Sequence, residues 1–199
     1  MGKAIIIAGV PGTGKSTIAS KLAEALKTIS IDLSRFAIEN NLILSYDEFR
    51  RTFIIDEDRV SMKVREVVEG SSNYIVLDTH YPEIIDPGIV EKVVVLRLHP
   101  LELEKRLSER GWSREKINEN VMAEILGIVS VNAVEAFGED KVYEVDASGK
   151  SVDEVLATVM EIVNNTGKIE PGLRVNWLEE VQPEVLDRFE NYGGGVDGF

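Results

Sequence analysis

The chain alternates between two rhythms. Short runs of consecutive apolar residues, as in strands covered on both faces, give way to stretches where apolar residues return every three or four positions, as in helices. Lys3–Ala8 is the first run, and after an interruption by glycines and Pro11 the positions Ile18, Leu22, Ala25 and Leu26 predict a helix over 16–26. Thr28–Ile31 predicts a second strand, with Asp32 capping a helix over 33–40. From Asn40 to Ile55 no period persists, and the stretch reads as irregular. Asp56 caps the next helix, which carries Val60, Val64 and Val67/Val68 on one face and stops at Gly70.

The second half repeats the scheme. Tyr74–Leu77, closed by Asp78, predicts a third strand and Lys92–Leu98 a fourth. Pro100 opens a helix that runs to Arg110-Gly111, a place where proline is tolerated. Ser113 then caps one long helix through Ile117, Val121, Ile125, Ile128 and Val129. Lys141–Val145 is a fifth strand and Val152–Val163 a closing helix. Strands that alternate with helices pair in parallel through right-handed crossovers. The expectation is a doubly wound α/β fold: a five-stranded parallel sheet with helices on both faces, formed by residues 1–166. The remainder, 167–199, has one helix candidate at Pro183–Phe189, seven acidic against three basic residues, and a glycine-rich end. It reads as an acidic appendage with a flexible end, and its apolar residues Trp177, Leu178, Val181, Val185, Leu186 and Phe189 are expected to dock on the domain itself or on a partner.

Composition narrows the chemistry. The 199 residues contain no cysteine, which excludes disulfides, thiolate metal sites and cysteine nucleophiles. A formal net charge of −13 argues against tight binding of bare nucleic acid and in favour of a basic protein partner. No apolar run is long enough for a signal peptide or a membrane span, so the expectation is a cytoplasmic protein with no membrane partner.

The loop after the first strand carries the strongest chemical signal. Gly9-Val10-Pro11-Gly12-Thr13-Gly14-Lys15-Ser16 fits G-x-x-x-x-G-K-[ST] at every fixed position, between a buried strand and an amphipathic helix. Backbone amides of such a P-loop close around phosphate oxygens at a helix N-terminus. Gly9, Gly12, Thr13 and Gly14 would form the cradle, Lys15 would reach the β- and γ-phosphates, Ser16 would be a Mg²⁺ ligand, and Thr17 would add an α-phosphate contact. Asp78, at the end of a neighbouring strand, is the candidate magnesium-supporting acid. His80, two residues on, is placed to orient a water at the γ-phosphate rim. The Asn-Lys-x-Asp base-recognition motif of regulatory GTPases is absent, which favours ATP. Phosphoryl transfer also needs cations on the moving group. Arg106 and Arg110 lie one helical turn apart just before Gly111-Trp112, where a lid would be built, and Arg35 could meet the phosphate of an acceptor.

These elements resemble the family of adenylate kinase isoenzyme six, nuclear in eukaryotes and present in archaea, over roughly residues 1–165. The matching pieces are Gly9–Thr17, Asp32-Leu33-Ser34-Arg35, Asp56-Glu57-Asp58-Arg59, Asp78-Thr79-His80 and Arg106-Leu107-Ser108-Glu109-Arg110-Gly111. The segment 167–199 lies outside that match. The resemblance implies a nucleoside-monophosphate-kinase type of P-loop fold, with an AMP-binding section at about 31–56 and a short lid at about 109–119. It also implies that Arg110 meets ATP phosphates, Lys150 lies beside adenine, and Arg35, Asp56 and Arg59 belong to the AMP side. The implied activities are conversion of ATP and AMP to ADP with Mg²⁺, and ATP hydrolysis during small-ribosomal-subunit maturation on a basic platform ribosomal protein. The fold alone leaves open a dedicated assembly ATPase, or a kinase of another small molecule such as shikimate or a nucleoside.

Overall fold

The computed structural model describes residues 2–48, 52–167 and 169–190. The strands are Ala4–Ala8 (β1), Ser30–Asp32 (β2), Ile43–Asp47 (β3), Thr52–Ile55 (β4), Ile75–Thr79 (β5), Val90–Arg97 (β6) and Val142–Asp146 (β7). Five of them form one sheet in the order β2-β5-β1-β6-β7, and every pair in it is parallel. β1 occupies the centre, and all five of its residues are buried, as its unbroken apolar run requires. The expected doubly wound α/β fold is therefore present.

The helices are Lys15–Ala25 (α1), Leu33–Glu39 (α2), Glu57–Glu69 (α3), Pro100–Glu109 (α4), Arg114–Ile125 (α5), Ile128–Phe137 (α6), Val152–Asn164 (α7), Trp177–Glu180 (α8) and Pro183–Asp187 (α9). Their boundaries follow local chemistry. Asp32, Asp56 and Ser113 each accept a backbone N–H three residues on, and Ser151 with Glu154 forms a full capping box. No single helix among the described residues is long and apolar enough to cross a membrane.

Two expectations are corrected. The long helix after Ser113 is two helices bent by 51°, because Gly127 has φ +64 and a left-handed residue cannot continue a helix. The apolar stripe runs across the break, so periodicity did not reveal it. The stretch 40–55 is not irregular: β3 and β4 form an antiparallel ribbon with Tyr46 opposite Phe53 and their rings 5.1 Å apart. A register shift between Ile43 and Ser45 disrupts the strand alternation. Leu44, Tyr46, Phe53 and Ile54 are also exposed, so no buried face imposes a period.

Over 169–190 the C-terminal segment packs against the core. The Gly172 N–H donates to Val142 O at 2.8 Å beside β7. Trp177 is 3% exposed and Phe189 0%; burial of such a side chain is worth about 1.5–3 kcal/mol. Below them the buried Arg97 pairs with Glu124 at 2.8 Å and with Glu144. Trp177 Nε1 donates to Glu124 at 2.9 Å, and the Val175 N–H donates to Glu144 at 2.8 Å. The two carboxylates and the guanidinium thus satisfy one another in the interior, as buried charges must. The glycine-rich end predicted to be flexible lies outside the described residues, as do positions 49–51 of the expected AMP-binding section.

Candidate active site

β1 delivers the chain into the glycine loop, and Gly14 caps α1. The first-turn amides of α1 have no side-chain cap and are left to bind an anion. Gly12 has φ +103, and a Cβ there would stand 2.7 Å from Leu103 Cδ1 and 3.0 Å from Leu107 Cδ2. Only glycine allows both that conformation and the close seating of α4 on the loop. Thr13 is buried and its hydroxyl donates to Val10 O at 3.0 Å, which ties the loop to itself.

Lys15 opens α1, half-buried. Burial lowers its pKa below the ordinary lysine range and Arg110 adds to the effect, while Asp78 and Asp32 oppose it. Asp78 is 5% exposed on β5, and its register partner is Asp32, the last residue of β2. Burial pushes the Asp78 carboxyl above the usual range and Asp32 adds to the rise, while Ser16 and Lys15 pull it back. Asp78 Oδ1 has no hydrogen-bond partner among the described residues. A cleft of about 320 Å³ opens over this group, lined by Ser16, Asp32, Arg35, Phe36, Glu39 and Asp78.

Magnesium takes oxygen ligands, keeps several waters, and binds through one or two carboxylates plus substrate phosphates. The Ser16 hydroxyl and the unsatisfied Asp78 oxygen in one cleft fit that donor set. No cluster of three or more His, Asp or Glu that could hold a metal by itself occurs among the described residues.

The arginines divide by position. Arg106 turns back from α4, donating to Gly12 O at 3.3 Å and to Glu102 at 2.6 Å. Glu102 in turn accepts the Gly149 N–H at 3.1 Å, so the loop carrying Lys150 is linked through α4 to the glycine loop. Lys150 itself is exposed and donates to Asp146 O. Arg110 is exposed at the C-cap of α4, within electrostatic reach of Lys15. Arg35 lines the cleft and pairs with Glu39 at 2.6 Å. Asp56 and Arg59 do not line it; Asp56 caps α3 by accepting the Arg59 N–H at 3.2 Å. His80 is half-buried beyond β5, with its ring 4.0 Å from that of Tyr81. Burial, helped by Lys15, lowers its pKa to about 4, so the imidazole is neutral at neutral pH.

Asp32 is the residue that sequence reasoning assigned only to capping. It does cap α2, but it also faces Asp78 and Lys15. The signal was available: the second and third predicted strands are each followed directly by an aspartate.

A family model described as an AAA domain matches residues 5–127. A Saccharolobus solfataricus protein named "Putative adenylate kinase" is 43% identical over 189 residues, covering 94% of this chain and 98% of that protein. A Pyrococcus furiosus protein of the same name is 34% identical over 183 residues, 92% of this chain and 94% of its own length. At 94% coverage the likeness runs into the C-terminal segment, beyond the 1–165 of the sequence resemblance. Among solved structures, a shikimate kinase from Bacteroides thetaiotaomicron has a TM-score of 0.56 at 16% identity, covering 82% of this chain and 99% of its own. A thymidylate kinase from Candida albicans has a TM-score of 0.54 at 20% identity, covering 86% and 98%. At those identities the likeness concerns the fold.

Proposed function

This chain belongs to the AAA-domain family whose model it matches and is similar over nearly its whole length to these archaeal proteins, and on that premise we propose that it is an adenylate kinase, converting ATP and AMP to two ADP. The observation that carries the proposal is the cleft in which Ser16, Asp78 and Asp32 meet Arg35, beside Lys15 and the glycine loop. The loop amides and Lys15 hold the β- and γ-phosphates of ATP, and Thr17 meets the α-phosphate. Ser16 and Asp78 would hold magnesium, which when bound would supply charge neutralisation at the transferred group. Arg110 reaches the same phosphates from α4, Lys150 lies on the adenine side, and Arg35 holds the acceptor phosphate. Catalysis then consists of positioning and charge stabilisation, which is most of what phosphoryl transfer requires. Neutral His80 can accept a hydrogen bond from a water and so support hydrolysis of ATP in the absence of AMP.

A coupled assay of ADP formation, with AMP present, absent, or replaced by shikimate or a nucleoside, tests the proposal. ADP yield that rises only with AMP supports it; a rise with another acceptor moves the chain to that kinase class.

The net charge of −13 favours a second role, ATP-driven release from a basic small-subunit ribosomal protein. Titration of such a protein at low and high salt should give an association rate that falls with salt. No binding at either salt removes this role and leaves the kinase.

A further inference from the structure

A charged cluster outside the cleft joins three parts of the chain. Glu104, on the outer side of α4, accepts from Arg114 at the start of α5 and from Arg188 of the C-terminal segment, the latter at 2.8 and 2.9 Å. Its side chain is only 13% exposed. Arg114 also donates to Arg188 O at 3.4 Å. Fully buried Phe189 lies under both cations, with the guanidinium carbons of Arg114 and Arg188 5.3 and 5.6 Å from its ring centroid. Between Glu104 and Arg114 the chain makes its α4–α5 turn through Gly111, at φ +73.

The same helix α4 also packs on the glycine loop. Leu103 and Leu107 close over Gly12, Arg106 donates to Gly12 O, and Arg110 ends the helix near Lys15. One helix of ten residues therefore touches both the glycine loop, through Leu103, Arg106 and Leu107, and the C-terminal segment, through Glu104. Upstream, Trp177 fixes the same segment near the N-terminus of α4, its ring edge-on to His99, the N-cap of that helix, at 5.4 Å. Exposed ion pairs alone contribute little, but this one is anchored by a buried aromatic ring and is only partly solvated.

We propose that Arg188 and Phe189, acting through Glu104, are positioning residues that hold α4 in the register that keeps Arg106 on Gly12 O and presents Arg110 to the ATP phosphates. The assignment of those phosphates rests on the function proposed above. It places the C-terminal segment on the ATP side of the reaction, because its described residues meet α4 through Glu104 and none of them lies beside Arg35 in the cleft.

The test compares full-length wild type with Arg188→Glu, Arg188→Lys and Phe189→Leu by calorimetric ATP affinity, KM for each nucleotide, and melting temperature. Arg188→Glu turns the attraction to Glu104 into repulsion. It should weaken ATP affinity and raise the KM for ATP about fivefold or more, with the KM for AMP within about twofold of wild type. Arg188→Lys should restore most of the loss, and Phe189→Leu should lie between. Unchanged ATP affinity in folded Arg188→Glu overturns the proposal. So does a parallel rise in both KM values with a falling melting temperature, which marks general loosening. If Arg188→Glu does not fold, Phe189→Leu decides by the same split. Should wild type form no ADP from AMP, the adenylate kinase reading fails by itself, and the ATP affinities still decide the positioning role.

Discussion

Asp32 and Asp78 stand opposite each other in the parallel register of β2 and β5, and both act on Lys15. A second carboxylate beside Asp78 raises the cost of ionising it. The Asp78 carboxyl is held above the usual range first by its burial, with Asp32 adding to the rise. Such a cost is tolerated where a cation is to be bound, and it separates stability from function at this position.

Asp78→Asn should therefore stabilise the nucleotide-free protein while disabling it. The folded chain holds the Asp78 proton more tightly than the unfolded chain does, so above both pKa values the ionised carboxylate penalises folding. At neutral pH the amide should melt no lower than wild type, and higher if relaxation is small. Turnover with magnesium should fall by more than about tenfold. Thermal melting and the coupled ADP assay check the two halves; a lower melting temperature with normal turnover would contradict both.

Lys15→Ala should keep the fold and lose phosphoryl transfer. Its ammonium is already disfavoured by burial, so its removal takes away no net folding stabilisation of consequence. The loss in rate should exceed about tenfold, since each ~1.4 kcal/mol of barrier is a factor of ten. Near-normal turnover by a folded variant would remove Lys15 from the mechanism.

Gly12→Ala tests the seating of α4 on the loop. Backbone strain at φ +103 should cost about 1–2 kcal/mol, and the clash with Leu103 about 1–3 kcal/mol more. Adding Leu103→Ala opens space for the new methyl but creates a cavity, and leaves the backbone strain in place. The double variant should thus be less destabilised than the sum of the single ones, by chemical denaturation. Strict additivity would mean that the two residues do not share this contact.

What the sequence made legible follows from which residues face the core. The central strands announce themselves because β1, β5 and β6 are buried on both faces, and the glycine loop because its backbone geometry leaves few choices of residue. The β3–β4 ribbon was hidden because a register shift and an exposed Leu44, Tyr46 and Phe53 leave no periodic face. The apolar residues of 169–190 point to docking on the domain, but the place where they dock is hidden for another reason. It depends on single long-range partners, Trp177 with Glu124 and Val175 with Glu144, which no local pattern encodes. Locally Asp32 reads as a helix cap, and its second role depends on the strand register that sets it beside Asp78.

Arg97→Ala should be among the most damaging substitutions away from the cleft. It leaves Glu124 and Glu144 buried without their cation, for which breaking a buried pair costs about 3–5 kcal/mol. Because Trp177 donates to Glu124, its fluorescence should shift to the red along with the loss of stability. A drop in stability with Trp177 emission unchanged would separate the C-terminal segment from this network.

His80 links acid stability to the hydrolytic reaction. Its pKa falls from 6.5 to about 4 in the fold, chiefly by burial. As pH drops through that interval the unfolded chain takes up a proton that the folded chain refuses, so stability should decline from pH 6.5 towards 4. His80→Gln cannot titrate, and its stability should fall less steeply over the same interval. The same substitution removes the neutral imidazole that would accept a hydrogen bond from water near Lys15. Hydrolysis of ATP without AMP should fall severalfold while ATP affinity stays within about twofold, because a water-orienting group acts on the reaction more than on binding. Denaturation at several pH values and hydrolysis rates measured on the same preparations check both consequences. A flattened pH dependence with hydrolysis unchanged would leave His80 a buried histidine with no part in the reaction.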